Sequence, residues 1–352
     1  MEQFIEIIKA IVFGIVEGIT EWLPVSSTGH MIILGQFFGF EVTQGKEFYD
    51  FFLVIIQLGA ILAVIISFIK ELWPFGKNKS REEKREIWYT WAKILIASIP
   101  AGVIGIVFDD LLDTYLYNYV TVSITLIVYG LAFIGIECYL RFKATKIRDR
   151  YNLNRAAYTH YDDDDDDDDD DRKYPLFRIR DVREISIQYA FIIGLAQCLA
   201  LIPGTSRSGV TICAALLLSI DRATASKFSF YLSIPAMLGG SLIKGAMYGV
   251  KVYKGETPSI TAFQIVLIII AMAVAFVISF FTIKFFMKLI RSKSFMGFGI
   301  YRIALGVILL IVFFTVNKGQ LNITALEPII STSFNNIYPH ILSKSSFLEI
   351  RA

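Results

Sequence analysis

The chain has 352 residues, 55% of them hydrophobic, including 29 Phe, with a formal net charge of only +2. This composition excludes an ordinary soluble globular protein and points to a bilayer. The near-neutral balance and the lack of any nucleic-acid motif leave no nucleic-acid partner to expect.

At the N-terminus, Met1-Glu2-Gln3 has no basic signal-peptide region, so the first apolar stretch is expected to stay in the mature protein. That stretch, 4–23, and the next, 31–40, are too short or too interrupted to be read as spans. They flank Glu17-Gly-Ile-Thr-Glu21-Trp-Leu-Pro24-Val-Ser26-Ser27-Thr28-Gly29-His30. A charge near the middle of a bilayer costs ~2.5–3.5 kcal/mol and by default marks function. Glu17 and Glu21 are four apart, so a helix stacks them on one face. Two carboxylates that close share a proton, hold a cation or face a basic group. A general base or a pair of divalent-metal ligands fits, and the plainer alternative is a solvated stripe near the outer surface. Ser26, Ser27 and Thr28 precede a helix; one hydroxyl suffices as its cap, and the start of a helix favours phosphate. His30 could serve as general base, nucleophile or metal ligand, or be structural.

Three segments of about 20 apolar residues follow as predicted spans, at 51–69, 90–108 and 119–140. Residues 141–183 then hold ten consecutive aspartates, Asp162 to Asp171, among many basic residues. A solvated loop is expected there, in preference to a cation-binding or docking tail. Two short apolar segments, 185–202 and 210–220, enclose Pro203-Gly-Thr-Ser206-Arg207-Ser208-Gly209. Arg207 supplies a permanently charged fork suited to phosphate, with Ser206, Ser208 and Gly209 beside it; snorkelling to the inner surface is the alternative. Gln197 stands where Glu17 does in the first half and is expected to hydrogen-bond across the interface of the halves. Spans are predicted at 225–249, 261–283 and 296–316. Arg302, early in the last, snorkels more easily and is left structural. The tail 317–352 receives no role. Cys138, Cys198 and Cys213 lie in apolar runs and are expected to be buried free thiols.

Basic residues crowd alternate loops, including Lys70 to Arg85, Arg141 to Arg183, and Lys284 to Lys293. Placing those loops in the cytoplasm fixes the orientation. The hairpin 4–40 then enters from outside and the hairpin 185–220 from inside, each followed by three spans. The expected fold is an all-α integral membrane protein of six transmembrane helices and two re-entrant hairpins. It forms one membrane domain over 1–316, with 1–140 and 184–316 as inverted-topology repeats whose hairpins meet near the midplane.

These residues resemble the undecaprenyl-diphosphate phosphatase, or bacitracin-resistance, family. Glu17 through His30 matches its Glu-x-x-x-Glu and Leu-Pro-x-Ser-Ser-Thr-Gly-His signatures, and Pro203 through Thr211 matches Pro-Gly-x-Ser-Arg-Ser-Gly-x-Thr. Phe295 to Gly306, with Tyr301-Arg302, also looks like the family's last helix. The acidic insert and the tail depart from the usual shorter chain.

The resemblance implies a multi-pass enzyme of the bacterial inner membrane that removes the terminal phosphate of undecaprenyl diphosphate. It also implies bacitracin resistance, recycling of the lipid carrier for peptidoglycan, and a Mg2+ or Ca2+ requirement. On this view Ser27 attacks phosphorus, assisted by Glu21 or His30, and a His30 nucleophile is the main variant. Arg207, Ser206, Ser208, Ser26, Thr28 and Gly209 would bind phosphate, while Glu17 and Glu21 would serve catalysis or the metal. The cleft is expected to open outward, and a homodimer stays open. A transporter or flippase for polyprenyl phosphate or a small anion is the alternative, since broken helices in inverted repeats are transporter architecture.

Overall fold

The computed structural model describes residues 2–116, 118–157, 176–292 and 294–316; the aspartate run and the tail lie outside the described residues. Among the described residues every regular element is helical, apart from a single parallel bridge between Ile179 and Ile220.

Helix α1 (Glu2–Thr20) ends ahead of Pro24, where a missing amide N–H cannot continue the ladder. Ser26 then caps α2 (Ser27–Phe38), accepting from the Gly29 amide at 3.4 Å. Short α3 (Phe40–Gln44), α4 (Lys46–Ser67), short α5 (Ile69–Leu72), α6 (Arg81–Leu116) and α7 (Tyr119–Ala157) complete the first half. The second half repeats the opening. Helix α8 (Ile187–Gln197) tightens into a 3-10 turn at Cys198–Leu201, the chain turns at Pro203 and Gly204, and Ser206 caps α9 (Arg207–Leu217) from the Gly209 amide at 3.3 Å. Both capping serines sit at positive φ, 74° at Ser26 and 69° at Ser206, a conformation that costs a non-glycine residue about 1 kcal/mol or more. Helices α10 (Arg222–Tyr253), α11 (Ala262–Ser292) and α12 (Met296–Val316) follow.

Among the described residues, five helices are long and apolar enough to cross a membrane: Lys46–Ser67, Arg81–Phe108, Tyr119–Arg150, Ala262–Ile290 and Met296–Thr315. The sixth expected segment, 225–249, lies within α10, whose 32 residues give about 48 Å of length. It falls short on composition rather than length, because it buries Ser226, Ser229, Ser233 and Ser241 against neighbouring helices. Large apolar side chains such as Val107, Leu242, Phe281 and Phe285 project outward, as they do where the surroundings are lipid. Cys213 is buried, but Cys138 is exposed on α7, where an apolar exterior replaces the expected protein core.

The packing follows a pattern. Helix α1 lies along α11, as α8 lies along α6; α4 packs on α11, as α10 packs on α6. Helices α4 and α10 pair with each other, and so do α7 and α12. Exchanging α1 with α8, α4 with α10, α6 with α11 and α7 with α12 maps this set onto itself. Apolar burial drives little in lipid, so such packing depends on close backbone approach. Gly14 permits it at α1, where a Cβ would stand 2.6 Å from the Ala271 carbonyl oxygen; Gly194 does the same at α8 against the Ala97 carbonyl. The turn after α1 is anchored by Trp22, fully buried and edge-on to Phe230 of α10 at 5.3 Å.

Candidate active site

The two turns, 21–26 and 202–206, bring their side chains to one place. Glu21 sits at the centre, its side chain 10% exposed. One carboxylate oxygen accepts from Arg207 Nη2 at 2.9 Å, and the other accepts from Ser27 Oγ at 2.7 Å. Ser27 and Arg207 each occupy the first position of their helix, α2 and α9. A single carboxylate therefore joins the starts of both helices.

Arg207 also donates from Nη1 to the Ser229 carbonyl at 3.2 Å, which leaves further N–H groups of its fork uncommitted. The Ser206 and Ser208 hydroxyls lie 3.3 Å apart, and Ser208 reaches the Glu21 carbonyl at 3.5 Å. Thr211 buttresses this turn of α9 by donating to the Arg207 carbonyl at 2.9 Å and meeting Ser229 Oγ at 2.7 Å. Thr28 is half-buried in the first turn of α2, beside Gly29, whose amide is held by Ser26.

His30 is held at both ring nitrogens. Nδ1 lies 2.7 Å from the Ser26 carbonyl, which only accepts, so Nδ1 carries the proton. Nε2 is then the acceptor facing Tyr301 Oη at 2.7 Å. The two rings are parallel within 5°, with centroids 5.8 Å apart. The imidazole is thus directed at α12 and not at the Ser27 hydroxyl.

Glu17 is 1% exposed, and its Oε1 has no hydrogen-bond partner among the described residues. Its counterpart Gln197 is 3% exposed and likewise carries an unpartnered Oε1, so the hydrogen bond expected from Gln197 is not made through that atom. No cluster of three or more His, Cys, Asp or Glu side chains suited to a metal occurs among the described residues. Two neighbouring glutamates, one with an orphaned buried oxygen, fit a cation of the Mg2+ type. Such an ion is commonly held by one or two carboxylates together with substrate phosphates rather than by a full protein cage.

Arg302 is the basic residue expected to snorkel. It is fully buried and does not snorkel: Nη2 donates to the carbonyls of Gly204 at 2.8 Å and Thr205 at 3.0 Å, and Nη1 to that of Pro24 at 3.4 Å. Tyr301 and Arg302 were both absent from the expected site. Their signal was available, as a guanidinium and a phenol side by side within an apolar span.

Residues 10–308 match the model of the family described as bacitracin resistance protein BacA. The undecaprenyl-diphosphatase of Enterococcus faecalis (strain ATCC 700802 / V583) is 42% identical over 307 residues, covering 87% of this chain and 97% of that protein. Undecaprenyl-diphosphatase 1 of Clostridioides difficile (strain 630) is 42% identical over 316 residues, 89% of this chain and 99% of its own length. The undecaprenyl-diphosphatase of Streptococcus mutans is 41% identical over 309 residues, 87% and 96% respectively.

Proposed function

The chain belongs to the bacitracin resistance protein BacA family, and from that premise we propose that it is a multi-pass membrane undecaprenyl-diphosphatase. It removes the terminal phosphate of undecaprenyl diphosphate, returns the monophosphate carrier to peptidoglycan synthesis, and thereby confers bacitracin resistance. The observation that carries the reading is the Glu21 carboxylate shared between Ser27 and Arg207.

The chemistry follows from that arrangement. Glu21 takes the Ser27 hydroxyl proton as Oγ attacks the terminal phosphorus, a base already at hydrogen-bond distance from the proton it removes. The bond from phosphorus to the bridging oxygen breaks, and prenyl monophosphate leaves with its electron pair. Water then hydrolyses the phosphoserine, releasing phosphate and restoring the hydroxyl. Arg207 and the amides at the starts of α2 and α9 neutralise the charge that builds on the phosphoryl oxygens, with the hydroxyls of Ser206, Ser208, Ser26 and Thr28 available nearby. Ser27 is the nucleophile because its proton already has an acceptor, whereas His30 Nε2 is occupied by Tyr301. His30 orients the turn through its Ser26 contact. Glu17 and Glu21 would hold a divalent cation jointly with the diphosphate, and that ion would supply Lewis-acid stabilisation of phosphate charge.

The exchange pattern of the helix packing supports two inverted repeats with re-entrant hairpins, α10 serving as the sixth span. Loop charge supports an inner-membrane protein with its basic loops in the cytoplasm and its cleft open outward.

Purified protein in detergent, given a polyprenyl diphosphate, is the decisive test. Inorganic phosphate is released by the wild-type chain and not by Glu21→Gln. A wild-type chain that releases none, with or without Mg2+, would refute the phosphatase reading and reopen that of a transporter.

A further inference from the structure

A residue outside the reaction above also joins the two turns. Arg302 enters from the last helix and reaches carbonyls on both sides of the site: Pro24 in the first turn, Gly204 and Thr205 in the second. Its guanidinium lies over the Phe133 ring at 5.1 Å, and among the described residues no carboxylate pairs with it. A buried charge of this kind persists because carbonyl dipoles meet both of its terminal nitrogens, while Nε has no partner among the described residues. The second turn is held at three successive carbonyls, since Thr125 Oγ1 donates to that of Pro203 at 2.7 Å.

Position along the chain gives these contacts their consequence. Pro24 lies midway between Glu21 and Ser27, and Thr205 lies two residues before Arg207. Moving either turn moves one partner of the shared carboxylate relative to the other. Both flanking serines, Ser26 and Ser206, hold positive φ, so neither turn rests in a backbone minimum that would keep its shape unaided.

We propose that Arg302 is a positioning residue for phosphate transfer: it locks the two turns in register so that Ser27 and Arg207 reach the same carboxylate. This rests on the phosphatase reading of the site. Arg302 contacts backbone carbonyls and not the groups that meet substrate, so its effect belongs in turnover rather than affinity. A lysine keeps the charge but loses the planar fork that spans both turns.

The test compares wild type with Arg302→Lys, purified in detergent, by phosphate release from a polyprenyl diphosphate and by amide hydrogen exchange across residues 21–27 and 202–207. The expected result is a kcat lowered ~100-fold, the scale of an ångström's misplacement. KM stays within about threefold, and exchange accelerates in both turns together. Wild-type kcat overturns the proposal. So does a raised KM at unchanged kcat, which would make Arg302 a substrate ligand, and so does faster exchange in one turn only. If the lysine variant does not fold, Arg302→Gln, which retains an amide donor, takes its place under the same readouts. Failure of both to fold would make the role purely structural and overturn positioning. A wild-type chain that releases no phosphate would refute the phosphatase reading instead, and the exchange arm alone would then decide whether Arg302 links the turns.

Discussion

Glu21 and Arg207 lie 186 residues apart in the chain and meet at 2.9 Å, each side chain largely buried. Breaking such a pair from one side strands the other charge. Arg207→Ala will therefore lose about 3–5 kcal/mol of stability along with its activity. The double variant Glu21→Gln/Arg207→Met will regain much of that stability and none of the turnover. Thermal unfolding in detergent beside phosphate release separates the two effects.

Ser27→Ala removes the attacking oxygen and leaves the α2 cap on Ser26 intact. Its melting temperature will stay within a few degrees of wild type while kcat drops about 10³-fold or more. Denaturing quench at neutral pH, which preserves both phosphoserine and phosphohistidine, during turnover of a substrate labelled in its terminal phosphate will trap label on the wild-type chain only. Label that persists on the alanine variant would transfer the nucleophile's role to His30.

Tyr301→Phe deletes one hydroxyl and keeps the stacked ring. His30 Nε2 loses its donor, and the imidazole can turn about its remaining tie to Ser26. Turnover will fall about tenfold, and a nitrogen-labelled histidine spectrum will register the lost hydrogen bond.

A chelator will abolish phosphate release, and added Mg2+ or Ca2+ will restore it. Glu17→Gln will raise the cation concentration needed for half-maximal rate by about 10–100-fold. An unchanged requirement would remove Glu17 from the cation's ligands.

Acid stability has a local source in the segment leading to α8. Two hydrogen bonds from Arg183 hold the Asp181 carboxyl down at about 2. Because the folded value lies below that of the unfolded chain, near 4, the contribution is complete above pH about 4 and vanishes as pH falls toward 2. Asp181→Asn will therefore lose less melting temperature than wild type between pH 5 and 2.5. The difference will be small, since the Arg183 and Asp181 side chains are 61% and 41% exposed.

Much of the site could be read from the residue string because charge and hydroxyls are so costly in apolar sequence. Glu21, Ser27 and Arg207 stood out before any contact was known. Arg302 did not, since a lone basic residue near a span end has an inexpensive explanation in snorkelling; its acceptors are carbonyls, which every residue carries and no pattern reveals. The role of His30 was ambiguous for a related reason. Its orientation depends on Tyr301, 271 positions away. Segment 225–249 was read by length and apolar content, but the serines along α10 turn inward, so one helix both resembles a span and departs from one.

The guanidinium that ties both turns arrives on the last of the described helices. During synthesis the acidic turn, its hydroxyls and even Arg207 are all in place long before that helix emerges from the ribosome. A chain interrupted before Met296 would carry nearly every group needed for the reaction, yet hold them out of register. Competence is thus withheld until insertion is complete, and truncated products in the bilayer cannot act on the lipid pool.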